Sequence, residues 1–217
     1  RPVAYEMSQF APVARVLADP TMLAVPASAP WKTAKEFVED AKARPGQIPY
    51  GSSGPYGTLH IAMEMFAASA GIKLLHVPFR GAGPALTGLL TGTVQAVASA
   101  PGTLRAQVDD GKMRVLAGWG AKRVASFPDV PTFQELGYKD VEFYIWAGLF
   151  AQTALPAPIM TKLREAMGEA VRAPEVVKTF ETAGSPVAYL DAPEFTKFVE
   201  ADSARLIAAV KKIGRVE

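Results

Sequence analysis

The chain has 217 residues, 49% of them hydrophobic and 20% charged, with a formal net charge of +2. That balance suits a soluble globular protein of one large domain or two small ones, and the interleaving of Lys and Arg with Asp and Glu excludes a basic nucleic-acid-binding block. Cysteine is absent, which excludes disulfides, thiol nucleophiles and thiolate metal sites, and the longest apolar runs fall far short of a membrane span. Lack of cysteine suits an exported bacterial protein that folds without oxidative help, although many cytosolic proteins lack it too. The chain opens on Arg1 with neither Met nor a leader, and it reads as processed, cut or part of something longer.

In chain order, "VARVLADPTMLAVPASAP" predicts two short strands split at Asp19-Pro20. "WKTAKEFVEDAKARPG" predicts a helix with Trp31, Ala34, Val38 and Ala41 on one face, a Thr33/Glu36 capping box, and a stop at Pro45-Gly46. "QIPYG" is a short strand. The glycine-rich "GSSGPYGT" follows, and then a helix from about Thr58 to Ala70, striped by Leu59, Ala62, Met63, Phe66 and Ala70 and closed by Gly71. "IKLLHVPF" is the next strand. Pro84 suits the first position of a helix in "PALTGLLTG".

"VQAVASA" reads as a buried strand, "GTLRAQVDDG" as a short helix or turn, and "MRVLAGWG" as another buried strand. This β-α-β-α-β alternation predicts an α/β fold with a mainly parallel sheet covered by helices. "AKRVASFPDVPTFQELGY" is proline-punctuated and reads as a connection between lobes. Beyond it come a strand in "EFYIWAGLFAQ" and a helix with Ile159, Leu163, Ala166, Met167 and Ala170 facing inward. A shorter helix ends at Gly184. A long terminal helix is capped by Asp191, with Phe195, Phe198, Leu206, Val210 and Ile213 toward the core.

The chemistry concentrates at "YGSSGPYGTLHIAMEMF", where three glycines and two serines lead straight into a helix. It is no Walker A loop, because Thr58 is preceded by Gly57 rather than Lys, and the glycines at 51, 54 and 57 miss the dinucleotide spacing. A serine nucleophile at Ser52 or Ser53 with His60 as base is a second reading, but Gly51-Ser52-Ser53-Gly54 misses the nucleophile-elbow spacing by one position. His60 and Glu64 stand at i, i+4 without a third ligand, so a side-chain pair is favoured over a metal site.

The third reading needs no missing part. Backbone N–H groups at a helix start carry partial positive charge, and glycines let an anion reach them. Ser52, Ser53 and Thr58 add hydroxyls. "FRGAGPALTG" offers Arg80, Gly81 and Gly83 before another helix, and Ser99 to Gly102 offers a third such turn. All three lie at strand C-termini, where open α/β sheets place their ligands.

Five blocks in order, "YGSSGPYGTLHIAMEMF", "HVPFRGAGPALTGLLTGTVQA", "GKMRVLAGWGAKR", "FPDVPTFQELGY" and "WAGLFAQTALP", resemble the solute receptors of tripartite tricarboxylate transporters, also called the Bordetella uptake gene family. The resemblance implies a type II periplasmic-binding-protein fold, with two α/β lobes closing a cleft on a small carboxylate. It also implies periplasmic location, delivery to membrane transporter subunits, and no cofactor, metal or catalysis. It maps residues 1–25 to a first-lobe remnant and crossing segment, 26–120 to the second lobe, and 121–217 to a return into the first lobe with the C-terminal helices. The family's anion-gripping loops map to Ser52, Ser53, Gly54, Gly57 and Thr58 and to Arg80, Gly81 and Gly83. Ser99 stands where relatives often carry Asp or Asn, which implies a less polar ligand end, and Trp146 is a candidate cleft wall.

The family's first strand, its glycine-rich loop ending in Asp and the helix after it are expected upstream of Arg1. On that expectation, a chain without them binds weakly or self-associates. An effector-sensing domain of a transcription regulator is a further alternative, requiring a helix-turn-helix upstream.

Overall fold

The computed structural model describes residues 4–214. By internal contacts the chain forms two compact units. One joins the described residues up to Ala18 with Trp146–Ile207, and the other joins Asp19–Ile145 with the described residues from Ala208 onward. The divisions fall at 18/19 and 145/146, not near 25 and 120 as the resemblance implies. The physical reason lies in the proline-punctuated connection. Phe127, Phe133, Val141 and Phe143 are all buried, and the Phe133 ring packs on Phe66 and Trp119.

The Asp19–Ile145 unit holds a five-stranded sheet built from β2 (Met22–Pro26), β3 (Pro49–Ser52), β4 (Leu75–Pro78), β5 (Ala96–Ser99) and β6 (Met113–Gly118), in the order β4-β3-β5-β2-β6. β3 runs parallel to β4 and β5, whereas β2 is antiparallel to β5 and β6. Four of the five strands therefore share one direction, and the β2 crossing strand alone opposes them. Met22–Val25 and all of β5 are buried, as central strands covered on both faces must be.

Between the strands lie α1 (Ala34–Ala43), α2 (Thr58–Ala70), α3 (Ala82–Leu90) and α4 (Pro101–Asp109). The Thr33/Glu36 capping box forms as expected, and Phe37 joins Ala34, Val38 and Ala41 on the buried face. α2 has the expected bounds and ends at Gly71 with φ 64. α3 begins two residues earlier than Pro84, because Gly81 (φ 117) turns the chain. Proline is tolerated there, since an N–H in the first turn has no intrahelical partner to lose.

The other unit has a three-stranded sheet, ordered β7-β1-β8, from β1 (Phe10–Pro20), β7 (Tyr144–Gln152) and β8 (Val187–Asp191). It carries α5 (Ala157–Ala170), α6 (Pro174–Thr182) and much of α7 (Ala192–Ile213). β8 is absent from the sequence reading. It pairs antiparallel with β1, Ala14 opposite Asp191, so long-range pairing rather than a strong local pattern makes it a strand. Asp191 therefore ends a strand immediately before α7. The face of α5 expected to point inward is largely open. Ile159 is 49% exposed, and Gly168 is the helix's one buried residue among those described. No described helix is long and apolar enough to cross a membrane.

Candidate functional site

Three parallel neighbours, β4, β3 and β5, end on one sheet edge, and each is followed by a helix. None of α2, α3 and α4 has a side-chain cap. The N–H groups of Thr58, Leu59 and His60 find no hydrogen-bond partner among the described residues, nor do those of Ala82, Gly83 and Gly102. The edge thus gathers six uncommitted donors and the positive ends of three helix dipoles. Its chemistry is that of an anion cradle.

Gly54 (φ 129) lies in the left-handed half of backbone space, and so does Tyr56 (φ 59). Gly57 is the α2 N-cap with φ −70, so its requirement is space. A Cβ there would stand 2.9 Å from Ser53 Oγ and 3.2 Å from the Gly54 carbonyl. The hydroxyls of Ser53 and Thr58 make no hydrogen bond among the described residues. Arg80 is exposed beside the α3 start with Gly81, and Gly83 is the second residue of that helix. Ser99, 5% exposed, is the last residue of β5 and pairs with Met22. The structure thus places Ser52, Ser53, Gly54, Gly57, Thr58, Arg80, Gly81, Gly83 and Ser99 at the strand ends, turns and helix starts of a single sheet edge.

Trp146 lies in the other unit. Its Nε1 donates to Asp202 Oδ2 at 2.9 Å, and its ring packs edge-on against Phe195 and Phe198. The structure gives it a packing role there.

Ser52 is fully buried, and its hydroxyl is already committed. Its Oγ lies 2.7 Å from His76 Nε2, accepts from the Gly54 N–H at 3.2 Å and approaches the Gly54 carbonyl at 3.2 Å. The serine–histidine contact therefore involves His76, not His60. His60 Nδ1 instead accepts the Tyr56 N–H at 2.9 Å. Glu64 does not pair with His60 either: its Oε1 accepts from the Tyr50 hydroxyl at 2.6 Å. Burial lowers the pKa of both histidines. For His76, burial and then the neighbouring His60 bring it to about 4, while Glu64 pulls the other way.

Sequence reasoning missed His76, whose position in an apolar strand hides it. It also missed Thr21. That residue is fully buried just before β2, at the same edge as Ser99 and Gly118, and its hydroxyl has no hydrogen-bond partner among the described residues. Thr in a β-leaning run looks like a strand former, so no local signal marks it.

With this geometry the class is an α/β protein with three uncapped helix starts at neighbouring strand C-termini. The chain belongs to the tripartite tricarboxylate transporter family of receptors, whose model matches residues 2–215. It is 35% identical over 192 residues to the UPF0065 protein in gbd 5'region of Cupriavidus necator, covering 88% of this chain and 58% of that relative. The structure is similar to that of R. palustris Rpa4515 with adipate, with TM-score 0.88, 26% identity, and coverage of 99% of this chain and 72% of that one. It is also similar to the periplasmic binding protein BugD, with TM-score 0.85, 27% identity, and coverage of 97% and 71%. The chain thus spans little more than half the length of the curated relative. The family's members are periplasmic solute-binding receptors that are not enzymes.

Proposed function

We propose that this chain is part of a periplasmic solute receptor that holds a small carboxylate at the α2–α3–α4 edge. It delivers that ligand to the membrane subunits of a tripartite tricarboxylate transporter and catalyses nothing. The observation that carries the reading is the convergence of three uncapped helix starts on neighbouring parallel strand ends. A carboxylate there accepts backbone N–H groups without needing a cationic side chain, and Arg80 stands at the rim for a second acidic group. That R. palustris Rpa4515 was solved with adipate supports a dicarboxylate. Ser99, in place of a charged residue, supports a ligand with a less polar segment.

Calorimetry with a dicarboxylate panel that includes adipate tests this. Gly54→Val puts a β-branched residue at φ 129 and is expected to remove binding while leaving the fold largely intact. Gly57→Val is expected to weaken binding by displacing Ser53. Unchanged affinity in both variants would count against the cradle.

The Ser52–His76 contact favours a second reading, a serine hydrolase. Against it stand the full burial of Ser52 and the absence, among the described residues, of a carboxylate hydrogen-bonded to His76. An ester panel with Ser52→Ala as control decides between the two; activity lost in the variant would favour the enzyme. The open face of α5 supports a further proposal, that this 217-residue chain self-associates, which light scattering reads directly.

A further inference from the structure

Beneath the β3–α2 loop lies a stack of rings. The His60 and His76 imidazoles are 3.9 Å apart at 10°, and Tyr50 lies 5.1 Å from His76 at 26°. Each histidine reaches upward to one point of the loop. His60 Nδ1 takes the backbone N–H of Tyr56, the one bulky residue of the loop held at positive φ. His76 Nε2 meets the Ser52 hydroxyl, which in turn spans both backbone groups of Gly54, the other positive-φ residue of the loop.

A non-glycine residue in the left-handed region persists only where its surroundings hold it. Here the holding groups are identifiable. Resting on the receptor reading above, we propose that His60 and His76 are positioning residues: they hold the loop from Ser52 to Gly57 in the one shape that presents the α2 N–H groups to an anion.

Proton placement follows from the same contacts. A backbone N–H can only donate, so His60 Nδ1 carries the lone pair and the neutral ring bears its proton on Nε2. The charged and titratable groups facing the pair are Tyr50 on β3, Glu64 on α2 and Tyr56, whose ring meets His60 edge-on at 5.9 Å; Tyr50 and Glu64 satisfy each other, and the Tyr56 hydroxyl donates to the Gly214 carbonyl. Glu64 is therefore occupied, burial disfavours charge on either ring, and a second charge across the stack is disfavoured further.

A packing role and a positioning role make opposite predictions for matched substitutions. Asn places an acceptor near the Nδ1 position, and Gln places polar atoms near Nε2, but neither stacks as a ring does. Phe keeps the ring and loses the hydrogen bond. Adipate affinity is therefore expected to stay within a few-fold of the parent in His60→Asn and His76→Gln. It should fall about tenfold or more in His60→Phe and His76→Phe, the usual effect of one lost hydrogen bond at a binding loop. Phe variants that bind like the parent, or amide variants that lose as much as the Phe variants, would overturn the proposal.

A measurement on the ligand-free parent stands apart from the receptor reading. The ring nitrogen shifts of His60 should report the Nε2–H form, and the Tyr56 amide should exchange slowly in the parent and in His60→Asn but rapidly in His60→Phe. A proton on Nδ1, or a Tyr56 amide unaffected by His60→Phe, overturns the positioning role. If adipate and the wider panel do not bind while these signatures hold, it is the receptor reading that fails.

Discussion

α2 and α5 make a controlled comparison: 13 and 14 residues, each striped with apolar side chains, each starting without a side-chain cap. α2 buries eight of its residues, whereas α5 buries only Gly168 among those described. The start of α2 also sits in a loop held by part-buried hydrogen bonds to two histidine side chains, while the segment before α5 is held only by bonds to the Gln9 and Gln152 carbonyls among the described residues. An uncapped N-terminus is thus no site by itself. What separates the two is company: α2 shares its edge with α3 and α4 and rests on a buried polar stack.

The largest expected contrast is in stability. Phe66 on α2 is fully buried against Phe37, Trp119, Phe133 and Tyr138, so Phe66→Ala should destabilise its unit by about 3–5 kcal/mol in denaturant unfolding. A loss below about 1 kcal/mol would mean that the α2 core is looser than its contacts indicate.

Acid should separate the regions next. Unfolded histidines take up protons below about pH 6.5, whereas the folded stack keeps His76 neutral to about 4. Stability from the stack is therefore complete above pH 6.5 and falls as pH drops from there toward 4, by about 3 kcal/mol. In the other unit, Arg164 holds Asp191 down to about 2. That contribution is present above the ordinary Asp range and is lost as pH falls from near 4 toward 2. The pair is more than a third exposed, so solvent screening limits its worth to at most about 1 kcal/mol. Unfolding followed by tryptophan fluorescence from pH 8 to 2 should show two steps, and His76→Gln should remove most of the upper one.

Thr21→Val comes third. Replacing a buried, unpartnered hydroxyl by a methyl should raise stability by up to about 1 kcal/mol. A drop in carboxylate affinity alongside would give the hydroxyl a part in the anion edge. The smallest effect is expected at Ile159→Ala on α5, within about 0.5 kcal/mol for the isolated chain. A loss of several kcal/mol there would show that something covers this face in solution.

Wherever a local pattern governs, structure was legible in the sequence. The α2 stripe, the Thr33/Glu36 box, the Gly71 cap and the three strand-to-helix turns depend on residues within a few positions of one another. Those same turns carry the candidate cradle, which is why Gly54, Gly57, Arg80 and Ser99 could be named from residues alone. β8 could not be read, because its strand character comes from β1, whose paired residues lie 170 to 177 positions away. Nor could the open face of α5, since a helical stripe says which side can be buried and not whether anything lies against it. The His60–His76 stack was hidden for the same reason: 16 positions of chain separate two rings that β3–β4 pairing and α2 packing set 3.9 Å apart. Local chemistry determined the elements and the anion-ready turns, and only tertiary contact, which brings distant residues within van der Waals range and excludes water from between them, decided what holds those turns in shape.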